Sequence, residues 1–272
     1  MKIALVAFIL LIAVATAAGL YWWKRSDDLA RAIQPQQPAA EVAEQAAPQT
    51  MPPEMLNPVP QEQAAPETPV KPLPALNASD AAIIDALSSS VGRQAIADLL
   101  ISEDLARRFV ATIDNLPRKK VTERLVPLRR PVGQTVTNGE GAFVSLSPNN
   151  YVRYARYVRM AQSTDVKQLV AAYTHFYPLL QQAYAELGYP RKYFNDRMIE
   201  VIDDLLTTPE VTDPVDLLRP KVLYEFADPQ LEELSAGRKI LIRMGPDNAA
   251  AIKSKLREIR GELATHAPAK SP

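Results

Sequence analysis

Apolar positions along this chain fall into three regimes. Residues 3–23 run without a single charge and are dominated by Ala, Ile, Leu and Val. Residues 26–76 show no periodicity at all. From residue 77 to residue 263 the apolar positions recur every three or four residues, the spacing of amphipathic helices. The clearest seam is Val166, Leu169, Tyr173, Phe176, Leu180, Ala183 and Leu187. Thr164 is its expected cap, Gly188 its stop, and Pro178 inside it predicts a kink. A helix over 195–206 gathers Phe194, Met198, Val201, Ile202 and Leu205 on one face. Asp228-Pro229 opens a helix ending near Gly245. Pro246 opens the last one, lined by Ala249, Ile252, Leu256, Ile259 and Leu263.

Earlier in this region a helical group covers 79–101 and is interrupted near 88–92. Ser102, followed by Glu103 and Asp104, predicts the N-cap of a helix that runs to Leu116 and stops at Pro117. The pattern then breaks. QTVTNGEGAFVSL places β-branched residues around Asn138-Gly139, the dipeptide of type I′ hairpin turns. Ser147-Pro148 restarts helix. Prolines 209, 214 and 220 punctuate a loop and a short helical turn. The predicted class is mainly α: a helical bundle-like domain over 77–263 with one small β-hairpin, followed by a disordered tail over 264–272.

A helix of roughly 20 apolar residues crosses ~30 Å of hydrocarbon, so residues 3–23 are expected to be a single transmembrane anchor. Tyr21, Trp22 and Trp23 sit where the membrane interface falls, and Lys24 and Arg25 follow. Ala15 and Ala17 also present an A-x-A site, which leaves a cleaved signal peptide as the alternative. Between residues 35 and 74 lie 11 of the 24 prolines, among Ala, Gln and Glu. Such a composition does not offset its own ordering entropy, so 26–76 reads as a disordered proline-rich linker. Forty such residues reach roughly 120 Å when extended. A short N-terminal tail, one anchor and a long spacer predict a bacterial inner-membrane protein with its C-terminal domain in the periplasm.

Charge and cysteine content narrow the chemistry. Lys+Arg and Asp+Glu both total 31, so the whole chain has no long-range pull on polyanions. Without cysteine there is no disulfide, thiolate nucleophile or cysteine-held metal. No G-x-x-x-x-G-K, G-x-G-x-x-G or G-x-S-x-G is present, and no cofactor is expected. His175, one residue before Phe176, reads as a helix-flank or core histidine rather than a base. Glu200, Asp203 and Asp204 share one helix face at a spacing that suits a metal or an acid–base pair, but lie opposite an apolar face and read as its wet side. A cell-wall enzyme would need a carboxylate pair assembled across helices, such as Glu200 with a partner elsewhere.

The remaining features concern binding. In YVRYARYVR, on a single helix at 100° per residue, Tyr151, Tyr154 and Tyr157 fall within an arc of about 120°. Arg153, Arg156 and Arg159 fall opposite, beside Val152 and Met160. The tyrosines are therefore expected on the core and the arginines on a basic outer ridge. Arg191-Lys192 forms a second basic spot. Gly245-Pro246, between two helices, is similar to half of a helix-hairpin-helix element, whose helix N-terminus holds a phosphate; Arg243 stands where that element has its first glycine. The leading expectation is a non-enzymatic envelope module that binds another protein. DNA or polyanion binding through Gly245, Pro246 and the arginines is the alternative.

Four stretches carry a family resemblance: YVRYARYV, FYPLLQQAYAELGYPRKYFNDRMIEVIDDLL, RPKVLYEFADPQLEELSAGRKILIRMGP and NAAAIKSKLREIR. In this order they resemble the bacterial family called domain of unknown function 3014, over about residues 73–263. The resemblance implies a preceding membrane segment and proline-rich spacer. It implies no activity and no catalytic residue.

Overall fold

Two hydrophobic cores of unequal size organise this computed structural model, which describes residues 55–59, 72–91, 93–141, 143–220 and 223–265. The expected anchor over 3–23, most of the expected linker over 26–76 and the tail beyond residue 265 lie outside the described residues. Among the described residues no helix is long and apolar enough to cross a membrane.

The larger core is helical. In chain order the helices of the described residues are α1 (Asp80–Val91), α2 (Arg93–Leu99), α3 (Leu105–Asn115), α4 (Pro148–Val152), α5 (Ala155–Gln162), α6 (Val166–Glu186), α7 (Phe194–Leu206), α8 (Pro229–Glu232), α9 (Ala236–Arg243) and α10 (Pro246–Thr265), of which α4 and α8 pack on the smaller core. α3 packs on α6 and α7, while α10 packs on α5, α6 and α7. The seams read from the sequence supply this core: Leu169, Tyr173, Phe176, Leu180 and Ala183 from α6, and Ile252, Leu256, Ile259 and Leu263 from α10. Leu187, expected to close the α6 seam, is exposed because the helix has already ended at Glu186. Pro178 stands inside α6, which continues through it.

The single hairpin expected near Asn138-Gly139 is part of a larger unit. β1 (Thr137–Asn138), β2 (Phe143–Leu146), β3 (Asp216–Leu218) and β4 (Glu225–Phe226) form an antiparallel sheet in that order. Asn138 pairs with Ser145. Residues 139–144 lie between that pair, so the connection is not a two-residue type I′ turn centred on Asn138-Gly139. The segment read as loop and helical turn after residue 209 supplies β3, whose Leu217 faces Val144 on one side and Phe226 on the other. Val144, Leu146, Val215, Leu217 and Phe226, with Ile242 of α9, make the smaller core. α9 joins the two cores, since its Ile240 and Leu241 belong to the larger one.

Caps also move. Ser147 accepts from the Asn149 amide, as Ser-Pro predicts. At α6 the cap is Asp165, whose carboxylate accepts from the Lys167 and Gln168 amides, while Thr164 turns back to the Met160 carbonyl. At α3 neither Ser102 nor a local acid serves. Asp104 occupies the N-cap in left-handed conformation, and the Asp80 carboxylate accepts from the amides of Asp104 and Leu105, both at 2.8 Å. The helix expected from Asp228 to Gly245 is two helices, with Ser235 capping the second.

Candidate functional site

The segment YVRYARYVR is not one helix. α4 ends at Val152 and α5 begins at Ala155, with Arg153 and Tyr154 in the turn between. Tyr154 and Tyr157 are buried in the larger core, as expected. Tyr151 is only partly buried and packs against the smaller core instead.

The break also dissolves the arginine ridge. Arg153 folds back through three hydrogen bonds: Nε to the Val132 carbonyl at 3.1 Å, Nη1 to Asn150 Oδ1 at 2.7 Å and Nη2 to the Gly133 carbonyl at 2.7 Å. Arg156 stands 4.8 Å from the Tyr157 ring and donates to its hydroxyl at 2.8 Å. Of the three, Arg159 alone is fully exposed, and Met160, expected beside them, is buried.

This region also shows apolar side chains to solvent. Val132 is 77 % exposed and Val152 71 %, on either side of the Arg153 clamp. Asn150 holds the arrangement in place although it is almost fully buried. Its Oδ1 accepts from the Val136 amide and from Arg153, and its Nδ2 donates to the Arg243 carbonyl at 3.0 Å. The 132–136 loop, the α4–α5 turn and α9 therefore meet at one amide, and the two valines stand on a braced surface. Arg243 itself is half-buried, and desolvation pulls its guanidinium below its ordinary value; it lies 4.8 Å from the Phe226 ring.

At the Gly245-Pro246 turn, Gly245 adopts φ +90° and its α-carbon faces the Tyr151 ring so closely that a Cβ would sit 2.5 Å from Cγ. The Tyr151 hydroxyl donates to Asp213. Burial first, and this carboxylate second, push the phenol above its ordinary value. Asp247 occupies the first turn of α10. The side of Gly245 on which a Cβ would lie thus carries an aromatic ring. Two carboxylates flank the turn. Arg191 and Lys192 are exposed in the turn before α7, and the Lys192 ammonium lies 5.4 Å from the Tyr189 ring.

The carboxylates at Glu200, Asp203 and Asp204 fan out to separate arginines. Glu200 meets Arg197 at 2.8 Å, Asp203 meets Arg260 through two bonds of 2.5 and 3.0 Å, and Asp204 meets Arg238 at 2.8 Å. The last two pairs join α7 to α10 and α9, which is a tertiary role. Among the described residues no group of three His, Asp or Glu is placed to hold a metal. His175 is half-buried, its ring edge-on to Phe176 at 4.9 Å.

One contact had no counterpart in the sequence reading. Residues 55–59, Met-Leu-Asn-Pro-Val, were expected to be structureless linker but lie on the first turn of α7. Asp196 accepts from the Leu56 amide at 3.2 Å, the Asn57 amide at 2.6 Å and the Asn57 side-chain amide at 3.0 Å. Asn195 Nδ2 donates to the Asn57 carbonyl at 2.8 Å. Val59 and Leu73 pack on the larger core. The available signal was local: apolar residues on both sides of an Asn-Pro turn dipeptide, inside a stretch otherwise made of Gln, Glu, Ala and Pro.

The family model described as "Protein of unknown function (DUF3014)" matches residues 105–260, from the start of α3 into α10. No curated protein and no solved structure matches the chain.

Proposed function

The chain belongs to the family of proteins of unknown function DUF3014, and on that premise we propose that it is a non-enzymatic, membrane-anchored module of the bacterial envelope that binds another protein. Residues 3–23 are the inner-membrane anchor, the proline-rich stretch is its tether, and the domain faces the periplasm. The observation that carries the binding role is the pair Val132 and Val152, exposed on either side of Arg153. Exposed apolar side chains that combine into one patch mark interaction sites, and arginine is enriched in protein interfaces. Arg159 on α5 adds an exposed cation to the same segment. A partner presenting an apolar centre with acidic groups at its edge fits this surface.

The test is affinity capture of the full chain from cells, beside a Val132→Asp, Val152→Asp double variant. Both positions are exposed, so thermal unfolding of the variant should match the unaltered chain. The expected result is a discrete envelope protein that the variant loses. Capture of the same proteins by both chains would refute the assignment.

A second reading keeps the exposed pair Arg191-Lys192, with Arg159, as a contact for DNA or another polyanion. It predicts an affinity that falls steeply with salt. Asp213 and Asp247 beside Gly245-Pro246 weigh against that turn as its centre.

A further inference from the structure

We propose that the first turn of α7 is a recognition site for a bent Leu-Asn-Pro-Val peptide, and that residues 55–59 occupy it as a reversible latch. The inference stands apart from the valine surface and does not require it.

The seat is preformed. Asn195 is 1 % exposed, and its Oδ1 accepts from the buried Tyr173 hydroxyl at 2.8 Å. That bond fixes the orientation of the amide, so Nδ2 must point outward, where it meets the Asn57 carbonyl. Next to it, Asp196 offers both carboxylate oxygens to three donors of the peptide. Asn57 is thus read at its amide, its carbonyl and its side chain. A residue without a side-chain amide forfeits one of these contacts.

The neighbours of Asn57 fit the same reading. Pro58 has no N–H, so the chain after Asn57 brings no further donor to satisfy. It also keeps the preceding residue out of the helical region, while the chain bends at Leu56 and Asn57 and so turns two successive amides towards one carboxylate. Val59 adds an apolar contact with the larger core. Four hydrogen bonds and one valine contact stand against the ordering of five residues, and those terms are of similar size. A contact balanced in this way opens and closes.

The consequence is a tether of two lengths. With the latch closed, the tether leaves the domain at residue 55. With it open, it leaves at residue 72, and about 17 further residues at ~3.1 Å each add roughly 50 Å of extended reach.

The chain contains no cysteine, so two engineered cysteines carry nitroxide labels without background. Leu56→Cys and Arg191→Cys are both at exposed positions near the seat. In the full chain in detergent the labels should give a narrow, short distance beside a broad, longer one. Asn57→Ala and, separately, Asp196→Ala should each abolish that population, as should excess free peptide of residues 53–61. Asn57 lies outside the helices, so its variant stays informative even if Asp196→Ala disturbs α7. A distribution with no narrow, short component in the unaltered chain overturns the proposal. So does a narrow one that survives both variants, or one that the free peptide does not disperse.

Discussion

Tyr151 and Gly245 act as one packing unit, and the pair shows how a single residue departs from its sequence reading. In sequence the glycine offers a plain turn between two helices, with a phosphate-binding turn as the alternative. Its positive φ and the ring lying on its α-carbon make it a docking face for an aromatic side chain. Gly245→Ala should therefore cost more than backbone strain alone. Left-handed conformation costs an alanine ~1–2 kcal/mol, and displacing a packed ring adds ~1–3 kcal/mol. Gly141, also at positive φ but with nothing within 4 Å of its would-be Cβ, supplies the comparison. Urea unfolding should place Gly141→Ala about 1–2 kcal/mol below the unaltered chain and Gly245→Ala a further kcal/mol or more below that, by the same two terms. Equal losses would mean that the Tyr151 ring moves aside freely. Burial of Tyr154 and Tyr157 was legible from helical spacing. The folding back of Arg153 was not, because its acceptors are the carbonyls of a loop 20 residues earlier.

At the scale of elements, what was legible was what repeats. The α6, α7 and α10 seams extend over several turns, so spacing alone located them. The four strands have two to four residues each, too few for a period to show. β3 reaches its partner only through tertiary contact. Capping divides in the same way. Ser147 caps within its own turn, as local sequence says. α3 is capped by Asp80, from another helix. Asp80→Ala should therefore destabilise the domain by about 1–2 kcal/mol, the usual scale for a lost cap. Ser102→Ala, at the position local sequence would choose, should change stability by less than about 0.5 kcal/mol. Chemical denaturation of the two variants side by side checks this. A larger loss at Ser102 than at Asp80 would reverse the assignment.

For the molecule as a whole, the two cores meet at α9, and Asn150 ties the loop, the α4–α5 turn and α9 beside that junction. Composition correctly marked the spacer as unlike a folded domain but hid the five residues that dock on it, because a peptide that orders on a preformed seat needs no core of its own. The central claim is that the valine surface is where a protein partner binds. The most direct measurement is site-specific photo-crosslinking in living cells, with the crosslinker at Val152 of the full chain and, as comparison, at the exposed Arg257 on α10. The account predicts one discrete envelope-protein adduct from position 152, absent from position 257 and lost when Val132 is changed to Asp. No protein adduct from position 152, or the same adducts from both positions, would contradict it.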